Sequence, residues 1–136
     1  MVFFPPAKLN LGLHITGKRD DGFHDLESVF LPIGWSDILE VVLDEEVPQG
    51  QARFEWTGLA IPGDTVNNLV TRAHKRLAEA FDLPGVAIHL HKVLPMGGGV
   101  GGGSADGTYT LRALNEVCNL GPVSYTHLRA HETTDN

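Results

Sequence analysis

Hydrophobic and polar positions alternate from Ala7 to Ile15. Ala7, Leu9, Leu11, Leu13 and Ile15 fall on one side, and Lys8, Asn10, Gly12, His14 and Thr16 on the other. A period of two over this length predicts a half-buried strand. Gly17 to Gly22 is a polar turn bracketed by glycine. Further strands are predicted from His24 to Phe30 and from Ile38 to Leu43, with Pro32 and Gly34 breaking the pattern between them. Glu45 to Gly50 reads as another turn, and Phe54 and Trp56 alternate in a short fourth strand.

Helical spacing then takes over. Leu69, Ala73, Leu77 and Phe81 recur every four residues, with Arg72, His74, Lys75, Arg76 and Glu79 expected on the outer surface. Asn67 or Asn68 supplies an N-cap, and Pro84-Gly85 ends the segment. Val86, Ile88 and Leu90 alternate with Ala87, His89 and His91, predicting a strand that leads into a glycine run. A second helix is predicted from Asp106 to Cys118, with Leu111, Leu114, Val117 and Cys118 apolar. Early strands followed by mixed elements predict an α+β fold rather than a repeating βαβ unit.

The glycine run changes the picture most. Six of the seven residues from Gly97 to Gly103 are glycine. Glycine loses the most backbone entropy in a regular element and buries no side chain, so the run is expected to be a loop. Its bare amides can face a ligand closely, and a loop that opens a helix is an anion site. A Walker-type site is excluded, because Gly103 is followed by Ser104-Ala105-Asp106 and no lysine. The dinucleotide fingerprint is met literally by Gly97, Gly99 and Gly102. The acid-ended second strand that such a Rossmann-type unit needs is missing, so dinucleotide binding is the runner-up.

Composition narrows the partners. The 136 residues are 42% hydrophobic and 20% charged, with a formal net charge of −7. That is one globular domain's worth of chain, and its negative charge argues against nucleic acid as a partner. A single cysteine, Cys118, allows no internal disulfide. There is no signal-peptide pattern and no apolar run of membrane length, so a cytoplasmic chain with no membrane partner is expected. His89 and His91 share a strand face but lack a third ligand in a recognisable spacing, and are read as surface histidines.

Four segments together carry a resemblance. Pro6-Ala-Lys-Leu-Asn-Leu-Gly-Leu13, Gly22-Phe-His24, Asn68-Leu-Val70 and Leu94-Pro-Met-Gly-Gly-Gly-Val-Gly-Gly-Gly-Ser104 resemble, in order and spacing, the GHMP superfamily of small-molecule kinases. Within it they are similar to the family that phosphorylates the 2-hydroxyl of 4-diphosphocytidyl-2-C-methyl-D-erythritol in the non-mevalonate isoprenoid route. The resemblance implies a GHMP-kinase N-terminal, ATP-binding domain over residues 1–122, and a C-terminal substrate domain that this chain lacks. ATP is the implied phosphoryl donor with Mg2+ expected; no metal ligand is assigned.

The resemblance also implies roles. Pro95, Met96, Gly97, Gly98, Gly99, Val100, Gly101, Gly102, Gly103, Ser104 and Ala105 match the ATP loop. Ser104 adds a hydroxyl to the phosphate or metal set, or is a plain helix cap. Lys8 matches the catalytic lysine, acting as a point charge beside the transferring phosphoryl group. Asn10, two positions on in the strand, lies within reach of the same ligand. Phe23 and His24 match an aromatic-histidine pair that faces the cytosine of a cytidine diphosphate sugar-alcohol substrate. The ring stacks, but Phe23 lacks the hydroxyl of the tyrosine common there. Ala105 and Gly107 depart from the family's Ser-Ser-Asp-Ala-Ala continuation.

Beyond Pro122 the pattern stops. Val123 to Asn136 has no apolar periodicity, and Ser124 to Thr133 resembles the translation of a transposase-type sequencing adapter. Residues 123–136 are therefore expected to be a non-native tail. The catalytic aspartate that the family pairs with the lysine would lie beyond Pro122, so this chain is expected to bind nucleotide without turnover.

Overall fold

The first alternating segment is one arm of a long ribbon that leaves the main sheet and returns to it. The structure, a computed structural model, describes residues 1–18, 20, 24–61, 68–95 and 101–121, with the backbone alone at 10–16, 18 and 24–30. Its elements are β1 (Val2–Phe3), β2 (Pro6–Lys18), β3 (His24–Ser36), β4 (Ile38–Leu43), β5 (Ala52–Gly58), α1 (Leu69–Ala80), β6 (Val86–Lys92) and α2 (Gly102–Val117). β2 and β3 pair antiparallel as a separate two-stranded sheet, and β1-β4-β6-β5 form the other sheet in that order.

Pro32 and Gly34 do not end the second strand as expected. β3 runs through both to Ser36, because Lys8 pairs with Pro32 and Pro6 with Ser36 at the edge of a two-stranded ribbon. A proline survives where its missing N–H faces no neighbour. The ribbon's register is irregular at three places along β2. Leu9, expected on a buried face, is 42% exposed, as is its cross-strand partner Leu31 at 46%.

The main sheet buries one face. Alternation puts Leu39 and Val41 of β4 beside Val86, Ile88 and Leu90 of β6, and both helices cover them with Val70, Ala73 and Leu77 of α1 and Leu111, Ala113 and Leu114 of α2. Each such side chain contributes about 1.5–3 kcal/mol when taken fully out of water. His74, expected at the helix surface, is buried within this layer, and its Nε2 has no hydrogen-bond partner among the described residues. Burial holds its pKa below the ordinary histidine value. The segment β5-α1-β6 is itself a parallel crossover, so one βαβ unit sits inside the α+β plan.

Local chemistry sets the helix ends. Asn68 caps α1: its Oδ1 accepts from the Val70 N–H at 2.8 Å. α2 ends at Cys118, where Asn119 takes φ 54° and the Leu120 N–H reaches back to the Asn115 carbonyl at 3.1 Å. That is the Schellman arrangement, with asparagine in the place glycine more often fills. No helix among the described residues is long and apolar enough to cross a membrane.

Candidate nucleotide site

The glycine run ends where α2 begins, four residues earlier than its apolar spacing suggested. Gly101 is the N-cap, in the left-handed region at φ 72° and ψ 19°, and its carbonyl accepts the first helical bond, from the Ala105 N–H at 3.0 Å. Gly102 and Gly103 therefore form the first turn of a helix, not a loop. Two glycines are tolerated there because the first turn is fixed by tertiary contacts on both sides. Ser104 lies inside the helix, which corrects its reading as a plain cap. The N–H groups of Gly102, Gly103 and Ser104 have no acceptor within the helix, and the helix dipole adds to their pull on an anion.

Lys8 stands over this turn. A Cβ built on Gly101 would lie 2.5 Å from Lys8 Cε and 3.2 Å from Cδ, so the lysine stem occupies the space that a side chain would need. The sequence separation is large, yet β2 carries Lys8 to the open end of α2. Lys8 and the ATP-loop residues Pro95, Gly101, Gly102, Gly103, Ser104 and Ala105 are described. Met96 to Val100 and Phe23 lie outside the described residues. For Asn10 and His24 the backbone alone is described. Asn10 pairs with Phe30, whereas His24 pairs with Lys18 at the far end of the ribbon from Lys8.

Beneath the turn lies a group that the pattern reading passed over. Lys92 Nζ donates to Asp37 Oδ2 at 2.6 Å and to Asp106 Oδ2 at 2.9 Å, with all three side chains buried. Asp37 Oδ1 also accepts from the Val93 and Leu94 N–H groups at 2.7 and 2.8 Å. Asp37 is the one residue between β3 and β4, and its own N–H donates to the Pro5 carbonyl between β1 and β2. It thus marks the junction of ribbon and sheet. A signal for Lys92 was present: positions 86, 88, 90 and 92 all point inward, and a lysine at the end of that row must find a buried acid.

Burial pushes the Asp37 carboxyl up, but hydrogen bonds from Asp106, the Leu94 N–H, Lys92 and the Val93 N–H outweigh it and hold it below its ordinary value. Asp106 behaves oppositely. Burial, then hydrogen bonding with Asp37, push its pKa up to about 8 against the pull of Lys92. Among the described residues its Oδ1 is buried with no hydrogen-bond partner.

This has a consequence for stability. A carboxyl whose folded pKa exceeds its unfolded value makes the folded state bind the extra proton, so its contribution falls as pH rises from about 4 to about 8. Asp106→Asn is expected to remove that fall. The difference in urea midpoint between variant and parent should therefore grow in the variant's favour from pH 5 to pH 8. A difference that does not change with pH would show that Asp106 is ionised throughout.

Two other features fall away. Among the described residues no group of three or more His, Cys, Asp or Glu side chains is arranged to hold a metal ion, so no residue is assigned to Mg2+. His89 Nε2 and His91 Nδ1 both meet Thr57 Oγ1, at 3.0 and 2.8 Å, on the sheet face away from the helices. An open depression of about 700 Å³ lies at the opposite end of the sheet, and its lining includes Asp44, Glu45 and Asp82. Three carboxylates repel a phosphate there. The dinucleotide reading is also corrected. β6, which delivers the glycine run, has β4 antiparallel on one side and β5 parallel on the other, and no strand follows α2 among the described residues.

The two-layer arrangement is similar to that of GHMP kinase N-terminal domains. Residues 68–132 match the family described as GHMP kinases N terminal domain. The particular relatives are 4-diphosphocytidyl-2-C-methyl-D-erythritol kinases. That of Bacteroides fragilis is 48% identical over 120 residues, covering 88% of this chain and 43% of the relative. That of Cytophaga hutchinsonii is 44% identical over the same coverage. A crystal structure of 4-(cytidine 5'-diphospho)-2C-methyl-D-erythritol kinase superposes with a TM-score of 0.78 at 34% identity, over 96% of this chain and 45% of that one. The chain thus spans less than half the length of the relatives it matches.

Proposed function

We propose that this chain forms the nucleotide-binding side of a kinase that moves the γ-phosphoryl group of ATP to the 2-hydroxyl of 4-diphosphocytidyl-2-C-methyl-D-erythritol. The observation that carries the reading is Lys8 lying on Gly101 at the open end of α2. A cation beside three amides with no acceptor inside the helix suits the charge that spreads over a transferring phosphoryl group. In that reaction the substrate oxygen bonds to the γ-phosphorus as the bond to the bridging oxygen of ADP breaks. The hydroxyl proton passes to a base that the resemblance places beyond Pro122.

Within this reading the amides of Gly102, Gly103 and Ser104 hold phosphate oxygens, and Lys8 draws the γ-phosphoryl group toward the acceptor. Asn10, Phe23 and His24 are proposed for the cytidine diphosphate sugar-alcohol, supported by their match to the family segments. The acidic chain and the kinase relatives suit a small-molecule partner and a cytoplasmic setting.

Calorimetric titration of the purified chain with ATP tests this directly. Binding is expected, and Lys8→Ala is expected to weaken it about tenfold, the equivalent of ~1.4 kcal/mol. Absence of ATP binding at millimolar concentration, with the chain shown to be folded, overturns the reading.

A further inference from the structure

The buried cluster ties down both stems of the glycine segment. The incoming stem is held where Val93 and Leu94 donate to Asp37 Oδ1. The outgoing stem is held where Asp106, one turn into α2, accepts from Lys92, which is itself bound to Asp37. The lysine ammonium also sits close under the first turn: a Cβ on Gly102 would lie 3.1 Å from Lys92 Nζ and 3.1 Å from Leu94 Cβ. A methyl group there would be a tight fit, so helix and cluster lie in close contact at this point. One carboxylate, Asp37, is thus the common anchor for the two ends of a segment whose own glycines supply almost no side-chain packing.

We propose that Asp106 is a positioning residue for phosphate binding: through Lys92 it fixes the first turn of α2 to the same Asp37 that holds Leu94, and so sets the gap into which the triphosphate fits. The inference rests on the nucleotide reading of the preceding section and adds a residue that touches no ligand. A glycine-rich turn gains order only from what it is tied to. Each amide aimed at a phosphate oxygen loses much of its value when the bond bends far from linear. The tether is internal, with the Lys92 side chain between the two carboxyl groups, so it orients the amides from beneath.

The loss caused by cutting the tether should therefore be selective for polyphosphate. Amide chemical shifts of the purified chain are followed while ATP, and separately AMP, is titrated in. Asp106→Ala is expected to weaken ATP about tenfold while leaving AMP within about twofold of the parent. Asp106→Asn keeps an oxygen for Lys92 and is expected to recover ATP binding. Should Asp106→Ala not fold, Asp106→Ser carries the same expectation, since its shorter side chain stops short of Lys92. Unchanged ATP affinity in the folded alanine or serine variant overturns the proposal. So does an equal loss for ATP and AMP, which would mean a general loosening of the domain. A parent chain that binds neither nucleotide overturns the nucleotide reading itself. A parent that binds ATP beside an unaffected variant overturns the tether alone.

Discussion

Lys92→Met is expected to lower folding stability by about 3–5 kcal/mol, the cost of leaving a buried carboxylate without its cation. Methionine fills the volume, so the loss comes from charge and not from a cavity. Asp37 is fully buried and its pKa is held low by hydrogen bonds, so in the variant it must either stay charged without Lys92 or take up a proton. Asp106 adds little to this loss at pH 7, because its pKa of about 8 leaves it protonated. The double variant Asp37→Asn/Lys92→Met should recover a large part of the loss, since no buried charge is left. Urea unfolding followed by circular dichroism measures both. A single-variant loss below about 1 kcal/mol, the range of an exposed pair, would mean the cluster is open to water.

Gly101→Val should abolish detectable ATP binding by the chain. Two effects act together at this position. The left-handed conformation at φ 72° costs a non-glycine residue roughly 1–2 kcal/mol, and more for a β-branched one. The new Cβ also lands 2.5 Å from Lys8 Cε, so the lysine must swing off the turn. Relief of the strain turns the Gly102 and Gly103 amides, and relief of the contact removes the cation. Calorimetry should show a loss of at least about a hundredfold, ~2.7 kcal/mol. If Gly101→Val bound ATP as tightly as the parent, neither the cap conformation nor the Lys8 contact would matter to the ligand. Thermal unfolding of the same variant separates this from collapse, because the core under α2 is built from Leu111, Ala113 and Leu114, about three turns away or more.

Much of the scaffold was legible in the order of apolar positions. The inward rows Leu39-Val41 and Val86-Ile88-Leu90 follow from alternation, and α1 follows from four-residue spacing and an asparagine cap. Both signals are local and survive because sheet and helix each bury one side. Three expectations failed, each through a contact made at long range. Pro32 stays in β3 because Lys8 pairs with it, and Gly34 is carried between that pair and the pair of Pro6 with Ser36. His74 is buried because α2 packs on α1. Gly102 and Gly103 join a helix because Lys92 and Leu94 close in from one side and Lys8 lies over Gly101 on the other.

The candidate site divides along the same line. The amino-acid order alone determined that a glycine run opens a helix, that this suits an anion, and that Lys8 and the run resemble parts of one kinase site. These are properties of backbone freedom and of short motifs, which need no partner to be read. Only the tertiary structure decided that Lys8 reaches Gly101, and that Asp37, Lys92 and Asp106 meet in one buried group. Asp37 and Lys92 are 55 residues apart, and nothing in either local pattern points to the other. Their pairing follows from the register of β4 against β6, which sets the start of one strand beside the end of the other. The desolvation of the three buried groups, and with it the raised pKa of Asp106, exists only once α2 has closed over that edge of the sheet.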